Sequence, residues 1–290
     1  MPIITMISPP GMLDVSLAVS LRNAWGGGDA VWLAPDEAVE FAVAAAPSNF
    51  WETWENLQAM SVDLVMQPDG DRRKKLLIAD MDSTMIGQEC IDELADVAGV
   101  GDHVKAITAR AMNGELDFIE ALDERVALLA GQPVSIIDDV LAERISFTSG
   151  GPELLATMKA NGAYAALVSG GFTAFTGHVA DTLGFDEHRA NTLLTDAGVL
   201  TGKAGRPVLG QQAKIEALEE ITARLGISEV DAVAVGDGAN DLGMLGRAGM
   251  GVALHAKPAV AAQCDVRTNH GDLSALLYLQ GHAKSDFVQP

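Results

Sequence analysis

The stretch LLIADMDSTMIGQECIDELADVAGV, residues 76–100, determines how the rest of the chain is interpreted. Leu76–Ala79 predict a buried strand, but this strand ends on Asp80 and a second carboxylate follows at Asp82. Burying a carboxylate is costly unless it is paired or bound to a metal. In isolation the pattern has two interpretations. It is either a turn with a helix N-cap, or a catalytic pair in which Asp80 attacks phosphorus and Asp82 acts as general acid and base.

Composition and charge limit the classes of protein that need to be considered. The chain has 290 residues, of which 48% are hydrophobic and 20% charged, as is typical of globular proteins. A formal charge of −21 disfavours nucleic acid or an anionic membrane surface as a partner. The two cysteines, Cys90 and Cys264, indicate reduced core residues rather than a disulfide framework. No apolar run reaches the ~18 residues of a membrane span, and the first residues lack a signal-peptide pattern. We therefore expect a cytoplasmic protein with no membrane partner.

Residues 1–70 predict a small α+β N-terminal domain with its own core. They contain all four tryptophans and alternate short strands with helices. A Trp-rich segment with few charges suggests a packing or dimerisation surface, so a homodimer is one expectation. The polar run QPDGDRRKK, residues 67–75, is typical of a linker.

From Lys75 onward, apolar strands alternate with helical patterns, which predicts an α/β fold with a doubly wound parallel sheet. The predicted core comprises residues 75–86 and 146–290. Residues 87–145 have helical periodicity with no strand candidate, so we expect a helical cap inserted after the first core strand. Ligands of open α/β sheets bind at the carboxyl ends of the strands, which this cap would cover. Residues 191–209 predict a hairpin that turns at Gly202.

Polar residues follow two further core strands. The second core strand ends on Ser169 and Gly170, which we place at a helix start where a hydroxyl and backbone N–H groups could face an anion. A later helix contributes Lys214, which by itself is typical of a solvated helix face but could also supply a positive charge to a phosphoryl group.

The segment VGDGANDL provides a possible metal site. Asp237 and Asp241 lie four residues apart on a turn that opens a helix, and hard oxygen ligands suit Mg²⁺. A helix N-cap would explain one of these acids but not the second. Three carboxylates, those of Asp80, Asp237 and Asp241, cannot face a negatively charged phosphate without a cation. We therefore expect Mg²⁺.

Taken in order, these motifs resemble the haloacid dehalogenase superfamily of Mg²⁺-dependent phosphotransferases. The order is Asp-x-Asp-x-Thr, Ser-Gly, Lys and then Gly-Asp-Gly-x-Asn-Asp. DMDSTMIGQECIDELA, MNGELDFIEALDERVALL, ALVSGGFTAFT and AVGDGANDLGML are more closely similar to the phosphoserine phosphatase family, over about residues 75–280. The resemblance implies a Rossmann-like core and hydrolysis of phosphoserine through an aspartyl phosphate, the last step of serine synthesis. Some members carry an ACT-like N-terminal domain, and the order of elements in residues 1–70 is compatible with one.

The resemblance also implies roles for the acids. Asp80 would be the nucleophile and Asp82 the general acid/base. Magnesium would lie on Asp80, the backbone carbonyl of Asp82 and Asp237, with Asp241 supporting its ligand shell.

Further roles concern the substrate. Ser169 and Lys214 would hold the phosphoryl group, and Gly170 and Asn240 would line the pocket. In the cap the resemblance implies the following partners of the substrate: Glu89 for the ammonium, Arg125 for the carboxylate, and Met112 and Phe118 as residues that close over it. Without the resemblance, Glu89 is an ordinary acid near a helix N-terminus and Arg125 a member of a surface ion pair.

Two other functions remain open at this point. One is a phosphatase or phosphotransferase of the same superfamily that acts on another small phosphate ester. The other is a receiver-like signalling module with a phosphorylated aspartate, against which Asp82 argues, because such a module needs no acid for a leaving group.

Overall fold

The computed structural model describes residues 1–112 and 115–289, without the side chain of Met112. The strands, in chain order, are β1 (Pro2–Ile7), β2 (Val31–Ala34), β3 (Ala38–Ala42), β4 (Asp63–Pro68), β5 (Leu76–Ala79), β6 (Tyr164–Phe172), β7 (Glu187–Asn191), β8 (Leu193–Asp196), β9 (Val199–Ala204), β10 (Ala232–Gly236), β11 (Met250–Leu254) and β12 (Val266–Thr268). The helices are α1 (Val15–Ala24), α2 (Phe50–Gln58), α3 (Cys90–Val97), α4 (Gly101–Met112), α5 (Phe118–Ala127), α6 (Ile136–Glu143), α7 (Gly151–Ala160), α8 (Thr173–Leu183), α9 (Gln211–Leu225), α10 (Leu242–Arg247), α11 (Pro258–Ala261) and α12 (Ala275–Leu279).

The main sheet has six parallel strands in the order β12-β11-β10-β5-β6-β7. The first strand of this sheet along the chain, β5, lies in its middle. Strands β6 and β7 extend the sheet on one side, and β10, β11 and β12 extend it on the other. Every residue of β5 and β10 is buried, which explains why these strands are continuous apolar runs rather than alternating ones. The predicted α/β fold class is confirmed.

The N-terminal residues form a separate antiparallel sheet in the order β2-β3-β1-β4. Its apolar face packs with α1 and α2 into a core of its own that includes Ile4, Met6, Phe41, Phe50 and Leu64. The small α+β arrangement is therefore as expected.

Polar contacts join this N-terminal sheet to the segments after β12. Asp63 is fully buried, and its carboxylate accepts backbone N–H groups of Asn269 at 2.8 Å, His270 at 3.1 Å and Gly271 at 2.8 Å. Residues 1–77 form one compact unit with residues 148–164 and those from 222 onward, whereas residues 78–147 and 165–221 form a second. The boundaries predicted at residues 70, 87 and 145 remain predictions.

Between β5 and β6, helices α3 to α6 occupy the region predicted as a cap. The hairpin that follows β7 differs from our expectation. Strands β8 and β9 turn at Ala197-Gly198, where both residues have positive φ (47° and 83°), and Gly202 lies inside β9 instead. A Cβ on Gly202 would come within 2.8 Å of the Ala130 Cβ, so this glycine permits close packing against the segment after α5. Among the described residues, no helix is long and apolar enough to cross a membrane.

Candidate active site

The turn after β5 holds the first pair of acids. Asp80 directly follows the fully buried strand β5, and residues 81–85 form a short irregular helical turn. Ser83 has φ 53°, a left-handed conformation that is uncommon for a residue with a side chain and is found often at functional sites. The Asp82 Oδ1 accepts the backbone N–H of Cys90, the first residue of α3, at 3.4 Å, so the turn also contributes to the start of that helix.

Asp80 forms a buried ion pair with Lys214. The Lys214 Nζ lies 2.6 Å from the Asp80 Oδ1, and the two side chains are only 2% and 6% exposed. Lys214 belongs to the first turn of α9 and is buried. The prediction from its sequence context, that it lies on a solvated helix face, is therefore wrong. The ammonium compensates the cost of burying the carboxylate and is positioned to attract other anions at the same place.

Asp82 has a different environment from Asp80. Burial and the nearby charge of Glu89 raise the pKa of Asp82 to about 7, although Cys90 and Lys214 act in the opposite direction. Gly171 lies beside it, since a Cβ there would come within 2.9 Å of the Asp82 Oδ2. An acid with a pKa near neutrality can both donate and accept a proton, which is what a general acid/base requires.

Ser169 and Gly170 lie inside β6, which continues to Phe172, and the following helix α8 begins at Thr173. The prediction from the sequence that these two residues lie at a helix N-terminus is therefore wrong. The Ser169 hydroxyl is buried and accepts the backbone N–H of Gly171 at 2.8 Å. The hydroxyl and the nearby backbone remain suitable for an anion.

Asp237 and Asp241 follow β10. Asp241 is fully buried, and its carboxylate accepts the backbone N–H of Gly238 at 3.0 Å. A Cβ on Gly236 would meet the Asp241 carboxylate, so glycine is required at that position. Asn240, which lies on the same short turn, is half-buried.

An acidic cluster is formed by Asp80, Asp237 and Asp241, with one carboxylate oxygen of each within 4.8 Å of the others. Such a set of hard oxygen donors fits a divalent cation of the Mg²⁺ type. Lys214 offsets one of the three negative charges, so the chemistry of the donor set is consistent with a metal ion.

The cap residues are arranged around the same turn. The Ser83 hydroxyl donates to the Glu89 Oε1 at 2.8 Å. Glu89 is the N-cap residue of α3, and its side chain makes no capping hydrogen bond to that helix. The Arg125 Nε donates to the Ala121 carbonyl at 3.1 Å.

Asp92, which sequence reasoning missed, belongs to the surroundings of Arg125. Burial lowers the pKa of Arg125, while the charges of Asp92 and then Glu89 raise it. Burial, with the charge of Glu89, raises the pKa of Asp92 in turn. Its position three residues after Glu89, on the next turn of helix, is the only signal that could have indicated it.

Phe118, the first residue of α5, is 39% exposed. A Cβ on Gly170 would lie 3.3 Å from its ring, and one on Gly210 would lie 3.2 Å from it. Met112 ends α4, and its side chain lies outside the part of the chain that the structure describes.

Comparison with known proteins agrees with this geometry. The family model for haloacid dehalogenase-like hydrolases matches residues 77–246. A phosphoserine phosphatase of Archaeoglobus fulgidus is 44% identical over 210 residues, which are 72% of this chain and 61% of that one. A haloacid dehalogenase family hydrolase from Salmonella enterica serovar Typhi has a TM-score of 0.87 at 30% identity, covering 96% of this chain and 98% of that one.

A solved structure of a phospho-aspartyl intermediate analogue of phosphoserine phosphatase is also similar. Its TM-score is 0.66 at 41% identity, and the match covers 71% of this chain and 98% of that one. The chain therefore belongs to the haloacid dehalogenase-like hydrolase family, in the group that contains the phosphoserine phosphatases.

Proposed function

We propose that this protein hydrolyses O-phospho-L-serine to L-serine and phosphate through an aspartyl phosphate on Asp80, the last step of serine synthesis. The observation that carries the proposal is the contrast between two neighbouring carboxylates. Asp80 is paired with the Lys214 ammonium at 2.6 Å, whereas the pKa of Asp82 is raised to about 7. One acid is thus paired with a cation and suited to act as a nucleophile, while the other can hold a proton.

In the first step an Asp80 carboxylate oxygen attacks phosphorus, and the bond between phosphorus and the seryl oxygen breaks. Asp82 gives its proton to that oxygen, so serine leaves as the neutral alcohol. In the second step Asp82 takes a proton from a water molecule, whose oxygen attacks the phosphorus. Phosphate is released and the Asp80 carboxylate is regenerated. Ser169 and Lys214 hold the phosphoryl oxygens, while Gly170 and Asn240 line the pocket.

Asp80, Asp237 and the backbone carbonyl of Asp82 would hold Mg²⁺, and Asp241 would support its ligand shell. The support is the acidic cluster, whose oxygens lie within 4.8 Å of one another. When bound, Mg²⁺ supplies positive charge that allows several carboxylates to face a phosphate.

Selectivity for the amino-acid part of the substrate is assigned to the cap. Glu89 would bind the ammonium and Arg125 the carboxylate, which an arginine can hold with two parallel hydrogen bonds. Phe118 and Met112 would close over the bound substrate. A cytoplasmic location and a homodimer remain predictions from composition.

The test is a panel of phosphate esters assayed for phosphate release in Mg²⁺, including phosphoserine, phosphothreonine and p-nitrophenyl phosphate. We expect a clear preference for phosphoserine, and loss of turnover in Asp80→Asn, because an amide cannot attack phosphorus. A preference for another ester would reject the substrate, and near-native turnover by Asp80→Asn would reject the covalent route. A lasting phosphoaspartate without turnover would instead favour a receiver-like module.

A further inference from the structure

Asn191, the last residue of β7, has a fully bonded side chain although it belongs to none of the motifs. The side chain is buried, with 1% of the residue exposed. Its amide nitrogen donates to the Gly170 carbonyl at 2.8 Å and to the Leu209 carbonyl at 3.1 Å. Its amide oxygen accepts the Leu209 N–H at 2.7 Å. Because the partners are two acceptors and one donor, they fix the orientation of the amide group.

The bond to Gly170 fills a gap in the sheet. The ladder between β6 and β7 pairs Val168 with Arg189 and Phe172 with Asn191, and the register shifts between these two pairs. The residues between Val168 and Phe172 are thus outside the regular pairing, as in a bulge. A carbonyl group released from the ladder needs another partner, and the Asn191 side chain supplies it to Gly170.

The bonds to Leu209 fix a second segment. Leu209 lies two residues before α9, whose first turn carries Lys214. Both backbone polar groups of Leu209 are bonded to the one Asn191 side chain. The start of α9 is therefore tied to the end of β6, the strand that carries Ser169.

We propose that Asn191 is a positioning residue that fixes the distance between the Ser169–Gly170 segment of β6 and Lys214, the two groups assigned to the phosphoryl oxygens. This inference rests on the proposed function and deepens it. Asn191 has no role toward the amino-acid part of the substrate, so its loss affects every phosphate ester alike.

Asn191→Asp is the sharpest perturbation. The aspartate has the same size and can still accept the Leu209 N–H, but it puts an oxygen where the amide nitrogen faces two carbonyl oxygens. Asn191→Ser, which is too short to reach both partners, serves if the aspartate variant does not fold. The matched control is Thr176→Val. Thr176 is buried and its hydroxyl bonds the Nδ1 of His188, also on β7, at 2.9 Å.

We would measure kcat/KM for phosphoserine and p-nitrophenyl phosphate, inhibition by inorganic phosphate, and urea unfolding. Asn191→Asp should lose about 10²-fold in kcat/KM on both esters, as expected when reacting groups are misplaced by an ångström, and phosphate should inhibit it more weakly. Thr176→Val should lose stability but keep wild-type kinetics per folded molecule.

The proposal would be overturned if the folded Asn191 variants had the same kinetics and the same inhibition by phosphate as Thr176→Val. A loss confined to phosphoserine would also overturn it, since that would place Asn191 on the amino-acid side of the pocket. A wild-type enzyme that ignored phosphoserine but hydrolysed p-nitrophenyl phosphate would reject the proposed substrate alone. The Asn191 comparison would then be decided with p-nitrophenyl phosphate and inorganic phosphate.

Discussion

Removing the Lys214 ammonium should destabilise the metal-free protein far more than removing an exposed arginine from an ion pair. In Lys214→Met the Asp80 carboxylate keeps its burial but loses a charge at 2.6 Å, with only 6% of its side chain exposed to water. Breaking a buried pair by deleting one partner typically costs about 3–5 kcal/mol. The acidic cluster around Asp80 acts in the same direction, because like charges repel.

Arg110→Met is the matched control. The Arg110 Nη1 lies 2.7 Å from the Glu124 Oε2, a distance close to that of the buried pair, but the side chains are 45% and 42% exposed. Exposed pairs contribute roughly 0–1 kcal/mol. Equilibrium urea unfolding in excess chelator should therefore separate the two variants by about 2–5 kcal/mol.

A double variant distinguishes the ion pair from simple packing. Adding Asp80→Asn to Lys214→Met removes both charges and should restore much of the lost stability, because the buried charge without its partner is gone. Mg²⁺ at about 100 times its Kd should stabilise the wild type by about 2.7 kcal/mol, if it binds only the folded state. Equal costs for Lys214→Met and Arg110→Met, or no recovery in the double variant, would refute the assignment of Lys214 as the counter-charge of Asp80.

Other predictions concern selectivity, metal and the N-terminal sheet. Arg125→Ala and Glu89→Gln should each lower kcat/KM for phosphoserine by roughly 30- to 1000-fold, the effect of losing about 2–4 kcal/mol of charge-assisted contact. Neither should change p-nitrophenyl phosphate hydrolysis much, and equal losses on both esters would show that these residues organise the cap instead. Phosphate release should stop in chelator and return with Mg²⁺ but poorly with Ca²⁺, which prefers more ligands at longer distances; full activity in chelator would contradict the metal site. Asp63→Ala should lower the free energy of unfolding by about 3 kcal/mol or more, since three backbone N–H groups lose their acceptor, and a loss below about 1 kcal/mol would show that they find other partners.

The fold was predictable from the sequence to the extent that burial leaves a pattern. Leu76–Ala79 and Ala232–Val235 are continuous apolar runs because both faces of their strands are covered, and they were placed correctly. The hairpin turn was predicted at the wrong place because Gly202 has the residue type of a turn. In the structure, glycine is required at position 202 because the chain passes close to Ala130 there. Both uses of glycine look the same in one sequence.

The candidate site was predictable where strand ends carry acids. Asp80, Asp82 and Asp237 could be proposed from the chemistry of carboxylates, but the cap residues Glu89 and Arg125 could be proposed only through the family resemblance. The structure adds physical reasons that no spacing contains, such as the Ser83 hydroxyl that orients Glu89 at 2.8 Å.

Asn191 and Asp63 show what a sequence pattern does not reveal. Each is a buried polar side chain that bonds backbone groups outside regular pairing, at separations of 18 and 21 residues for Asn191 and 206 to 208 for Asp63. A backbone group has the same chemistry whatever its side chain, so its need for a partner cannot be read from residue identity. That need arises only once the strands have paired and left a bulge or a strand end open. Buried asparagines and aspartates next to such openings can therefore be recognised only after the sheet is known.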